Sequence, residues 1–227
     1  YVLQQIANSQ EGSLFPTCMS EPYLRPRKGS IKNPLRIAVL ISGSGSGLLA
    51  LLNHQQSHQS PHITKLIISD NMNAGGLRYG EDFDIPAVAI SLPDSVSKIE
   101  QRIMHENLIH DTLMNYDIEL VVLSGYMRIL TPSFVSKWKG RLINIHPSLL
   151  PKYPGANAHR DALADGANIT GCTVHLVDEG VDTGEIIAQE EVEILDGDTI
   201  EELQERVKKI EHQLYPKVLD TFCSKGV

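Results

Sequence analysis

The sequence predicts an α/β fold: a mostly parallel twisted sheet with helices on both faces, and an antiparallel extension near the C-terminus. Three observations carry this. Short, largely apolar runs recur at helix-length intervals, the pattern of strands covered on both faces. The first run ends in a glycine-rich turn that opens a helix. Two later runs are joined by a turn-like segment too short for a helix.

The elements follow in chain order. Residues 1–35, with "FPT", "EPYLRPRKGS" and "KNP", are broken by Pro, Gly and Ser and read as a linker or tail. From Arg36 the texture changes to a domain spanning residues 36–227. "RIAVLIS" is a strand, "GSGSG" a turn, and "LLALLN" the start of a helix. Thr64 to Ser69, Ala87 to Ser91, Glu119 to Ser124 and Arg141 to His146 read as further strands. A helix is predicted over Ser97 to Tyr116, with Ile99, Ile103, Ile109, Leu113, Met114 and Tyr116 on its buried face and His110 as a core histidine. "TGCTVHLV" and "EIIAQEEVEI", joined by "DEGVDTG", form the extension. Thr199 and Glu202 are spaced as a capping box for a last helix, whose stripe Ile200, Leu203, Val207, Ile210 and Leu214 runs up to Pro216.

Bulk properties narrow the function. A formal net charge of −8 over 227 residues opposes a broad nucleic-acid footprint but leaves room for a local anion pocket. No apolar run is long enough to span a bilayer, and the first thirty residues lack the apolar core of a secretory signal. Cys18, Cys172 and Cys223 have neither disulfide parity nor metal spacing. A reducing, cytoplasmic setting is expected. The first residue is not Met, which suggests a processed chain or a piece of something longer.

Two stretches carry chemistry. The turn Gly43 to Gly47 presents free backbone N–H groups at a helix start, which suits a phosphate and also a plain tight turn. Leu48 stands where the dinucleotide spacing needs a third glycine, so only Asp70, ending the second strand, favours a dinucleotide. In "NIHPSLLPKYPG", Asn144 and His146 lie two apart at a strand's C-terminal end and so face one side. An amide donor beside a titratable ring can stabilise an oxyanion and handle a proton, although capping and backbone-bonding roles are equally open. Asp182, in "EGVDTG", is a candidate carboxylate to favour the protonated ring. His54, His58 and His62 are four apart, but Pro61 interrupts the pattern; they read as a solvated helix end and not as a metal site.

Together "ISGSGSG", "LSGYMRIL", "INIHPSLLPKYPG", "GCTVHLVDEGVDTGEII" and "RVKKIEHQLYP" resemble the glycinamide ribonucleotide formyltransferases from about Arg36 onward. The resemblance implies a Rossmann-like formyltransferase fold. It also implies transfer of a formyl group from the cosubstrate 10-formyltetrahydrofolate to the amine of glycinamide ribonucleotide, by direct attack through a tetrahedral intermediate and without a metal. On this basis Asn144, His146 and Asp182 are catalytic, Gly45, Ser46 and Gly47 hold the substrate phosphate, and Glu211 binds its glycinamide end. Met127, Arg128, Leu130, Glu179 and Asp182 surround the folate. Family members usually carry Asn where Gly47 stands, so the phosphate cradle here relies on backbone, and Asn at that position is expected to tighten binding. In animals the family implies covalent joining to other purine-synthesis domains, with no nucleic-acid or membrane partner. Methionyl-tRNA formyltransferase resembles a longer chain with a basic C-terminal domain; formyltetrahydrofolate hydrolase carries an N-terminal regulatory domain. A noncatalytic nucleotide-binding module on the same fold is the reading from another class.

Overall fold

The computed structural model describes residues 25–94 and 97–225. The elements run β1 (Leu35–Ile41), α1 (Ser46–Ser57), β2 (His62–Ser69), α2 (Tyr79–Asp82), β3 (Ala87–Ala89), α3 (Lys98–Asn115), β4 (Leu120–Leu123), α4 (Pro132–Lys137), β5 (Leu142–His146), α5 (Ala158–Ala164), β6 (Ile169–Leu176), β7 (Ile186–Glu193) and α6 (Ile200–Lys225). One seven-stranded sheet has the order β3-β2-β1-β4-β5-β6-β7. The pairs from β3 to β5 are parallel, and β5-β6 and β6-β7 are antiparallel.

The central strands are largely apolar because both faces are covered. On β1, Ile37, Val39 and Ile41 face a core shared with α1 and α6, and Ala38 and Leu40 face a second core shared with α3 and α4. Phe134 and Trp138 fill the second core and are almost fully buried. Gly45 caps α1 at φ 70°, and a Cβ there would lie 2.8 Å from Gly76 Cα, so the turn that starts the helix requires glycine.

Residues 1–24 of the expected linker or tail lie outside the described residues. The part that is described lies against the domain: Arg27 pairs with Glu119 at 2.6 Å and the Gly29 amide donates to the Cys223 carbonyl at 2.8 Å.

Three predicted features are corrected. On α3, Ile99, Ile103, Met114 and Tyr116 are exposed, and the inner face is His105, Glu106, Ile109 and Leu113. The polar residues are inside because each has a fixed partner: the His105 ring donates to the Ile90 carbonyl, and Glu106 accepts from the Thr131 amide and hydroxyl. His110 is half-buried, edge-on to Trp138. Second, α6 runs through Pro216 to Lys225. The proline forfeits one helical hydrogen bond, but Tyr215 before it and Val218, Leu219 and Cys223 beyond it are buried against the sheet and outweigh that loss. Third, His54 and His62 are not a solvated helix end. Both reach Asp220 of α6, at 2.6 and 3.1 Å, and the His62 side chain is fully buried.

Candidate active site

The C-terminal ends of β1, β4 and β5 open onto two cavities that meet. The first, about 380 Å³, lies over the turn into α1; Gly43 to Gly47 form one wall, and Lys208, Glu211 and His212 of α6 with His159 of α5 form the other. The second, about 360 Å³, lies beside β5, between the segment Gly125 to Leu130 and the loop after β6. Gly125, Met127, Ile145 and Pro147 line both.

Asn144, His146 and Asp182 converge in the second cavity. His146 Nδ1 lies 3.2 Å from the Asp182 carboxylate, and its Nε2 donates to the Tyr153 carbonyl at 2.9 Å. Asp182 also accepts from the Gly155 amide at 2.8 Å. Tyr153 and Asp182 both have positive φ, 54° and 55°, so the two groups that hold the His146 ring stand on left-handed backbone.

The structure adds a residue to the predicted set. His175 on β6 stands directly opposite Asn144 on β5. Its Nδ1 donates to the Leu176 carbonyl at 2.8 Å, which leaves Nε2 facing the Asn144 amide at 3.3 Å and Asp182 at 3.6 Å. A neutral ring accepts from Asn144; a charged one donates toward Asp182. His175 lies within a quoted motif, but only the antiparallel register brings it to Asn144.

The electrostatics depart from expectation at His146. Both ring nitrogens face acceptors, which only an imidazolium can satisfy with two donors. Burial nevertheless dominates and lowers the pKa; the Tyr153 carbonyl and Asp182 pull it up, and His175 pushes it further down. The predicted carboxylate is in place but does not win. For Asp182, burial acts upward but is outweighed by His175, the Gly155 amide and His146, so the acid is strengthened.

The remaining predicted residues divide between the cavities. Gly45, Ser46, Gly47 and Glu211 line the first. Burial lifts the Glu211 carboxyl to about 7, with Lys208 partly opposing. Met127, Arg128 and Leu130 line the second; Met127 is 74% exposed and reaches both. Arg128 also pairs with Asp70 at 2.6 Å, so the acid that favoured a dinucleotide is engaged by a cation. Glu179 is exposed and outside the cavity wall, which is formed by Asp178 and Gly180 on either side. His159, Lys208 and His212 also line the first cavity and carry no local signal in the sequence, because their helices reach it only through tertiary packing. Among the described residues no group of three or more His, Cys, Asp or Glu is placed to hold a metal.

The formyl transferase family model matches residues 35–219, most of the chain. The chain belongs to the formyl transferase family. Among relatives of this family, phosphoribosylglycinamide formyltransferase of Haemophilus influenzae is 39% identical over 187 residues, 82% of this chain and 86% of that protein. The trifunctional purine biosynthetic protein adenosine-3 of Chironomus tentans is 47% identical over 191 residues, 83% of this chain but only 14% of that protein. The solved formyl transferase fold of glycinamide ribonucleotide transformylase 1 from Symbiobacterium toebii superposes with a TM-score of 0.80 at 38% identity, covering 85% of this chain and 89% of the other. The mostly parallel sheet with an antiparallel C-terminal part is that of these formyl transferases. No helix among the described residues is long and apolar enough to cross a membrane.

Proposed function

We propose that the chain transfers a formyl group from 10-formyltetrahydrofolate to the amine of glycinamide ribonucleotide, in purine synthesis in the cytoplasm. The observation that carries this is the meeting of two cavities of different character at one polar cluster. One combines free amides at the start of α1 with the half-buried acid Glu211; the other is walled largely by apolar groups with Asn144 and Asp182 at its end. The first suits a phosphorylated amine and the second a flat, partly apolar ring system. Residues 36–227 are the catalytic domain in this reading, and residues 1–35 lead into it.

The folate supplies the formyl carbon. The chain's residues supply position and charge. Gly45, Ser46 and Gly47 bind phosphate through amides that no helical bond uses. Glu211 accepts from the glycinamide end. Leu130 and Met127 pack on the ring, Arg128 borders it, and Glu179 acts from the rim of the same loop. Asn144 donates toward the oxygen on which negative charge develops. His146, when protonated, gives its two N–H groups to Tyr153 and Asp182 and brings its positive charge to the same cavity. Asp182, kept ionised, receives the proton that leaves the amine, directly or through water, and returns it to the folate nitrogen as the bond from that nitrogen to the formyl carbon breaks. His175 positions Asn144 and Asp182.

A formyl-transfer assay against glycinamide ribonucleotide, with methionyl-tRNA and water as competing acceptors, tests the reading. Transfer to the ribotide alone is expected. Transfer to the tRNA, net hydrolysis, or no transfer by folded protein overturns it.

A further inference from the structure

We propose that Ser124 supplies the side-chain hydrogen bond to the ligand phosphate that residue 47, as glycine, does not, so that Gly47 and Ser124 work as a matched pair. This rests on the phosphate reading of the cavity over α1. A Cβ built on Gly47 would stand 2.5 Å from Ser124 Oγ, far inside contact distance. The Ser124 hydroxyl therefore occupies the room that a side chain at residue 47 would need. The absent side chain and the present hydroxyl share one space.

Ser124 is held there firmly. It follows the last residue of β4, its amide donates to the Leu40 carbonyl at 3.0 Å, and the Ser42 amide donates to the carbonyl of the next residue, Gly125, at 3.1 Å. The residue is 8% exposed and lines the same cavity as Gly45 to Gly47. Its hydroxyl makes no hydrogen bond among the described residues, whereas the neighbouring Ser42 hydroxyl is committed to the Met127 amide at 2.9 Å. The hydroxyl opens onto the cavity instead, where a ligand can reach it. Beside the free amides of α1, a phosphate oxygen provides an acceptor of the right charge.

The pairing alters what Asn at position 47 should do. Restoring the side chain alone crowds the Ser124 hydroxyl and does not tighten binding. Restoring it together with Ser124→Ala opens the space and returns one side-chain donor to the site.

Calorimetric titration of glycinamide ribonucleotide, inorganic phosphate and a non-transferring formyl-folate analogue into four proteins tests this: wild type, Ser124→Ala, Gly47→Asn and the double variant. Ser124→Ala is expected to weaken ribotide and phosphate binding by roughly tenfold, the loss of one hydrogen bond to a charged acceptor with some replacement by water, while the folate constant stays within about twofold. Gly47→Asn alone should bind ribotide no better than wild type, and the double variant should bind it more tightly than either single variant, so the two changes are non-additive. Unchanged ribotide and phosphate constants in Ser124→Ala, or additive effects in the double variant, overturn the pairing. Equal losses for folate and ribotide in Ser124→Ala also overturn it, since the serine would then only maintain shape. Wild type that binds folate but neither ribotide nor phosphate overturns the phosphate reading itself, and the pair with it.

Discussion

Replacing Glu211 with Gln should stabilise the protein above neutral pH while weakening its hold on the ribotide. The carboxyl sits in the wall of the first cavity, where burial lifts it from the ordinary 4.5 to about 7 against a smaller opposing pull from Lys208. A lift of that size corresponds to ~3 kcal/mol, at about 1.4 kcal/mol per pH unit. The sign follows from proton binding. The folded state holds this proton more tightly than the unfolded chain, so the contribution is fully present below pH 4.5 and is lost as pH rises through about 7. Glutamine has no charge to desolvate and escapes that loss. Urea unfolding of both proteins from pH 5 to 8 should show the stability difference growing in favour of Glu211→Gln by up to ~3 kcal/mol. Ribotide affinity should fall about tenfold, because a charged acceptor is replaced by a neutral one. A stability difference that does not change with pH would refute the argument, since it would mean that Glu211 is as solvated in the fold as outside it.

Other expectations concern the polar cluster and the far end of α6. Asp182→Asn should lower the His146 pKa further, because it removes an upward pull and leaves burial unopposed by that charge; NMR titration of the labelled ring reads this, and an unchanged curve would separate the two residues. Asn144→Ala should cut turnover roughly a hundredfold or more with the fold intact, the loss of one oxyanion donor, and near-normal turnover in folded protein would remove Asn144 from the mechanism. At Asp220, burial acts upward but is outweighed by His62 and His54, which hold the acid at about 2. Its stabilisation is present above the ordinary 3.8 and lost as pH falls toward 2, so Asp220→Asn should cost ~2 kcal/mol at pH 7 and progressively less below pH 4; a loss that is constant with pH would point to packing alone.

The alternation of strands and helices was legible because each strand is a short apolar run bounded by a turn, a purely local signal. Asn144 and His146 were legible for a similar reason: two residues apart on a strand, they must share a side. What local patterns could not carry was register and distance. His175 pairs with Asn144 across 31 residues, and His54 reaches Asp220 across 166. Neither contact leaves a trace in spacing, and four-residue histidine intervals in a polar stretch look like solvent-facing turns. Pro216 misled in the opposite sense. A proline is a sound local stop, but a helix with buried side chains on both sides of it survives the missing bond. On α3 the apolar spacing does not tell which polar residues have partners, and the partnered His105 and Glu106 take the inner positions.

The last helix joins two tasks along one rod. Its first half carries Lys208, Glu211 and His212 to the cavity, and its second half is clamped by Tyr215, whose hydroxyl meets the carbonyls of Leu123 and Ile143, and by Asp220 between two histidines. A rod fixed at one end transmits what happens at the other. A ligand that engages the first half should therefore slow amide hydrogen exchange not only around Glu211 but through Val218 to Cys223, well away from any atom it touches, and loosening the clamp should be felt at the cavity as a faster ligand off-rate.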